Sequence, residues 1–122
     1  MSWEAVLLCS LLLSCAGTNE EAAASASAEG AQFTALLTAV NQTPDDTLQL
    51  CAGLTDAELY GECIVAGVEA LPAAATSQAQ EFCTAIDAQQ AAVPRSECFF
   101  RVAERSLRPE LCEQSQLFEE DC

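Results

Sequence analysis

Apolar residues recur at helical spacing from about residue 31 to the last cysteine, with polar residues between them. Phe33, Leu36, Leu37 and Val40 fall at i, i+3, i+4 and i+7, which predicts a first helix over about 30–41. Thr43-Pro44-Asp45-Asp46 reads as an N-cap, a proline at the first helical position and two acids in the first turn. It opens a second helix over about 44–52, which Gly53 ends. Thr55-x-x-Glu58 has the form of a capping box and opens a third helix. Leu59, Cys63, Ala66 and Ala70 make its stripe, and Pro72 follows its end. Ser77-x-x-Gln80 opens a fourth, with Ala79, Phe82, Cys83 and Ile86 inward. Pro94 opens a fifth, with Cys98, Phe99, Val102 and Ala103 inward. Pro109 opens a sixth, with Leu111, Cys112, Ser115 and Phe118 on one side. No strand-like alternation of useful length is present. The predicted fold class is all-α: a small disulfide-stapled array of helical hairpins, about five to six helices, with short loops making neighbours antiparallel.

The chain before residue 31 has a different pattern. Ala5 to Ser14 reads AVLLCSLLLS, too short an apolar run to span a bilayer and the right length for the core of a signal peptide. The residues ahead of it, Met1 to Glu4, carry no Lys or Arg, where such signals normally place a positive charge. Ala16 to Gly30 is mostly Ala, Ser and Glu, with almost nothing to bury against the entropy of ordering it. The expected organisation is a signal peptide over 1–14, a flexible tether over 15–30 and a cysteine-rich helical domain over 31–122.

Leu12-Leu13-Ser14-Cys15 resembles the lipobox of bacterial lipoproteins: Leu at −3, a small residue at −1 and the cysteine to be lipidated at +1. Leu13 departs from the small residue usual at −2. The resemblance implies two or three acyl chains on Cys15, enough for a stable membrane anchor where a single chain is marginal. Ala16 at +2 is not Asp, which by the same resemblance implies the outer membrane. Ser14-Cys15-Ala16 also fits the small-x-small site of ordinary signal peptidase, with cleavage after Ala16 and a soluble product.

Removing Cys9 with the signal, and Cys15 by lipidation or cleavage, leaves six of the eight cysteines. They sit in an internal repeat. Leu50-Cys51 leads to Glu62-Cys63, Phe82-Cys83 to Glu97-Cys98, and Leu111-Cys112 to Asp121-Cys122. The arrangement resembles cysteine-paired helical-hairpin repeats of uncharacterised exported prokaryotic proteins, a resemblance that covers 50–122 and implies no activity. The repeat suggests one bond per unit: Cys51–Cys63, Cys83–Cys98 and Cys112–Cys122. An antiparallel hairpin of helices three and four would instead pair Cys63 with Cys83, leaving Cys98–Cys112 and Cys51–Cys122. The gaps between these cysteines are too long for the usual C-x2–4-C zinc pairs, and the chain has no His, so no metal is expected. Cys-x-x-Cys, the redox dithiol spacing, is absent.

Charge narrows the partners. The net charge is −15, with no Lys and four Arg, all between Arg95 and Arg108. Such a chain repels nucleic acid and anionic headgroups, so neither is expected as a partner. Without His there is no common general base and no serine or cysteine triad. Without Lys there is no Schiff base or Walker-type phosphate site. No enzyme and no cofactor is expected. Arg101, Arg105 and Arg108 recur at i, i+4 and i+7 along helix five and, with Phe100, form the candidate contact face. Glu97–Arg101 and Glu104–Arg108 are also i, i+4 pairs in the favourable direction, which would make the strip a solvated, self-paired face.

The expected function is that of an exported envelope lipoprotein, held to the membrane by lipid on Cys15, whose helical domain binds a protein partner without catalysis. The alternative is a soluble secreted all-α disulfide protein that binds a lipid or small ligand.

Overall fold

The computed structural model describes residues 28–122; the signal-peptide reading, Cys15 and most of the tether reading lie outside them. By backbone contacts the chain divides into two units, Met1–Gln32 and Phe33–Cys122. In the first unit the described residues, 28–32, are helical, so positions 28–30 are helix where the sequence suggested tether.

The second unit is all-α among its described residues and stapled by three disulfides. Helix α1 covers 33–42. A single 3-10 turn, Pro44–Asp46, leads into the short α2, Thr47–Cys51. Two long helices follow, each preceded by a short one: α3, Ala57–Ala70, after α2, and α5, Ala92–Ser106, after α4, Thr76–Thr84. Pro109–Asp121 is 3-10 rather than α-helical, with a break at Gln116 and Phe118. The first two units of the sequence repeat are therefore a repeat of structure, a short helix bonded to a long one, while the third stays within a single 3-10 segment. Cys51 of α2 bonds Cys63 of α3, Cys83 of α4 bonds Cys98 of α5, and Cys112 bonds Cys122 within the C-terminal segment. The Cys63–Cys83 set does not form. Each bond closes 10 to 15 residues, worth on the order of 3 kcal/mol in the chain-entropy account.

The core lies between α3, α4 and α5. Its largest fully buried side chains are Phe99, Ile64, Leu71 and Ile86, joined by four of the bonded cysteines. The residues expected inward on the fourth and fifth helices are all buried, although α4 ends at Thr84 and Ile86 lies just beyond it. Helix α3 differs: it buries Gly61, Cys63, Ile64, Val65, Gly67 and Val68, while Leu59, Ala66 and Ala70 are only half-buried. A helix enclosed on several sides hides more than one stripe. Two glycines admit the neighbours. A Cβ on Gly61 would lie 2.6 Å from Pro94 Cγ, and one on Gly67 would lie 2.1 Å from Thr47 Oγ1.

Several helix ends differ from the sequence reading. Asp56, not Thr55, caps α3, its carboxylate accepting from Leu59 N at 2.9 Å. Both residue types suit the position. The preceding turn, closed by Leu54 N to Cys51 O at 3.0 Å and seated by buried Leu54, delivers Asp56 to it. Thr43 spends its hydroxyl on Ala39 O at 3.1 Å, finishing α1 rather than capping the next element. Helix α4 starts at Thr76 with no side-chain cap, so Ser77 is already inside it. Helix α5 starts at Ala92, two residues before Pro94. Proline is tolerated there because the first-turn N–H groups have no intrahelical acceptor.

Candidate interaction surface

The four arginines were the one cationic feature of an acidic chain, and the structure disperses them. Arg105 leaves the surface. Its guanidinium donates through Nη1 to Val68 O, which also accepts from Leu71 N, and through Nη2 to Leu71 O, the carbonyl just past the C-terminal end of α3. Arg95, in the first turn of α5, does the same for α4: Nη1 points at Ile86 O at 2.6 Å, Thr84 O at 3.1 Å and Cys83 O at 3.3 Å. Its guanidinium lies 5.2 Å from the centre of the Phe99 ring. Helix α5 therefore clasps the negative ends of two neighbouring helices, one with each of its own ends. A fixed cation there satisfies the carbonyls and opposes the helix dipole.

Arg101 stays half-exposed among carboxylates: Glu69 at 3.4 Å, Glu104 at 3.6 Å and Glu97 at 3.7 Å. The Glu97 pair is the expected i, i+4 contact. The expected Glu104–Arg108 pair is absent, because Glu104 turns back to Arg101 instead. Arg108 has left the helix. Leu107 adopts a left-handed backbone, φ 57° and ψ 37°, and ends α5 at Ser106. The strip Arg101, Arg105, Arg108 is thus three separate environments, not one face. Phe100 is half-buried, 5.9 Å from the Phe118 ring centre and 5.9 Å from the Arg101 guanidinium. It lines a cleft of about 360 Å³ with Ala103, Glu104, Leu107, Pro109 and the Cys112–Cys122 bond.

No family model, curated protein or solved structure matches this chain. Six cysteines in three bonds belong to an oxidising, extracytoplasmic setting. No helix among the described residues is long and apolar enough to cross a membrane.

A second surface was not singled out from the sequence. Leu59, Glu62, Ala66, Glu69 and Ala70 follow one stripe of α3, and Phe33, Leu37 and Asn41 follow one stripe of α1. Between them lie two hollows of about 380 and 540 Å³ that share Leu37, Ala66 and Glu69. Glu97 of α5 reaches the first. Glu62 sits in that hollow without an ion pair to any described residue. Partial burial, then the neighbouring Glu97, Glu58 and Glu69, hold its carboxyl above the ordinary glutamate range. Glu62 and Glu97 are the acids that precede Cys63 and Cys98 in the repeat, and the fold brings them together. The sequence held that signal in the repeat itself. Asp87 moves the other way. Its carboxylate accepts from Gln90 N and Gln89 N, and these bonds hold its pKa below the usual aspartate range.

Proposed function

We propose that this chain is an exported, lipid-anchored envelope protein whose disulfide-stapled helical domain binds a protein partner and carries no catalytic centre. The observation that supports this best is the use of all six cysteines of 31–122 in internal bonds. That pairing fits export and assigns Cys15 no partner in the domain, which suits its reading as the lipidated residue of Leu12-Leu13-Ser14-Cys15. The outer membrane is the proposed address, on Ala16 at +2.

The test is an intact-mass and N-terminal measurement on the mature protein, without reduction. A diacylglyceryl Cys15 at the N-terminus is the expected result. A mature chain starting at Gly17 would overturn the anchor and favour the soluble secreted reading. Cross-linking in intact cells is expected to recover the domain joined to another protein. Recovery of the domain alone would sink the interaction role.

A further inference from the structure

The groove between α1 and α3 has an apolar floor and an acidic rim. Phe33, Leu37, Leu59 and Ala66 are half-buried there, covered by no neighbour among the described residues well enough to hide them. The stripe from Leu59 to Ala70 advances eleven residues, about 16 Å at 1.5 Å per residue, which is about three helical turns. Around it stand Glu58, Glu62, Glu69 and Glu97, and among the described residues the only cation given to them is Arg101, which is shared with Glu104. Glu62, the carboxylate most enclosed by the others, has no counter-ion among the described residues. No sheet edge exists among the described residues to accept a strand, so the mode left to a shallow trough between two helices is a helix laid into it.

We propose that this groove docks a cationic amphipathic helix of a partner protein, its apolar side on Leu37 and Ala66 and its Lys or Arg side chains against Glu62 and Glu69. The inference rests on the reading of the domain as an interaction module and names what that module takes. A cation delivered beside Glu62 sets an opposite charge among its three like-charged neighbours, at a carboxylate that Arg101 does not reach. The apolar floor supplies what charge alone lacks, a demand for a sided helix rather than any basic peptide. Anionic lipid and nucleic acid are repelled by the same carboxylates.

The test uses the full chain with its bonds intact and a fluorescent Leu/Lys peptide of roughly five turns, its leucines at i, i+3, i+4 and i+7. Binding is followed by anisotropy at about 0.15 M salt, where long-range attraction is screened. The Leu/Lys helix is expected to bind at least about tenfold more tightly than a scrambled peptide of the same composition. Glu62→Gln is expected to weaken it about fivefold, while Glu119→Gln on the C-terminal segment leaves it unchanged. Leu37→Gln should weaken it by a similar factor, with far-UV circular dichroism confirming that the variant is folded. Equal binding of the scrambled peptide, or equal effects of Glu62→Gln and Glu119→Gln, would overturn the groove in favour of diffuse charge attraction. A partner recovered by cross-linking from both the parent and Glu62→Gln/Leu37→Gln chains in equal yield would also overturn it, while leaving the interaction role standing. Loss of that partner from the variant alone would support it.

Discussion

At Gly67 helix α3 passes so close to α2 that one methyl group has no room. A Cβ built there meets Thr47 Oγ1 at 2.1 Å, Cγ2 at 2.3 Å and Cβ at 2.7 Å. Thr47 has nowhere to go: it is fully buried, and its hydroxyl donates to Pro44 O at 2.6 Å. Gly67→Ala therefore sets two effects against each other. Helix propensity favours alanine by about 1 kcal/mol in a helix interior. Overpacking opposes it by about 1–3 kcal/mol, and three overlapping atoms on a side chain held by a hydrogen bond put this site at the upper end. The expected net is a loss of about 1–2 kcal/mol, or about 5–15 °C in Tm for a domain of this size. The assay is urea and thermal unfolding with the disulfides intact, followed by circular dichroism. Thr47→Ala removes Oγ1 and Cγ2 but leaves Cβ, so the double variant should recover part of the loss, with a coupling of about 1 kcal/mol. A Gly67→Ala protein as stable as the parent, or more stable, would refute the close approach and leave propensity as the dominant effect.

Arg105→Ala should destabilise the domain by about 1.5–3 kcal/mol, since two carbonyls at the C-terminal end of α3, those of Val68 and Leu71, lose a charged donor. Arg105→Lys should not restore it, because one ammonium cannot reproduce the two-pronged contact; unfolding curves of both variants check this. Glu62 gives a pH dependence of defined sign. Its folded pKa is raised, so its contribution to stability is fully present below the unfolded value near 4.5 and is lost as pH rises through the folded value. Stability measured from pH 7 downward should therefore rise more steeply in the parent than in Glu62→Gln, and parallel curves would contradict the clustered carboxylates. Asp87, with its pKa lowered, contributes above its unfolded value near 3.8 and loses that contribution as pH falls through the folded one; Asp87→Asn should flatten the acid limb. Mild dithiol treatment should open Cys112–Cys122 first, because Cys122 is exposed while Cys51, Cys63, Cys83 and Cys98 are fully buried. Alkylation and peptide mapping after brief reduction should label Cys112 and Cys122 alone, and early label on the other four would count against the burial pattern.

Much of the fold was legible because its rules are local. A period of 3.6 places Ala79, Phe82 and Cys83 on one side of α4, and Cys98, Phe99 and Val102 on one side of α5, and all are buried. The repeat pointed to one disulfide per unit, and short segments between its cysteines keep each pair within reach. Helix ends were less legible. Thr55 and Asp56 are both good caps, adjacent in sequence, and only the turn at Leu54 chooses between them. The C-terminal segment carries helical spacing yet is 3-10 with a break, closed on itself by a disulfide only 10 residues long.

The arginines mark where local reasoning stopped. Their i, i+4, i+7 spacing describes an isolated helix, and on an isolated helix they would share a face. In the fold, Arg105 reaches carbonyls 34 and 37 residues away, and Arg95 reaches the end of α4. A helix end without a nearby cap is a strong demand, but it reveals nothing in sequence about which distant side chain will answer it. The clustering of Glu62 with Glu97 is of the same kind, visible as a repeat of acid before cysteine and given meaning only when α3 and α5 lie together. By itself the sequence determined which segments are helical, which faces are apolar and which cysteines share a unit, because hydrogen bonding and burial along a helix depend on neighbours a few residues away. Only the tertiary structure decided which charges are buried against backbone, which are paired and which stand uncompensated along a groove, because those depend on helices brought together from far along the chain.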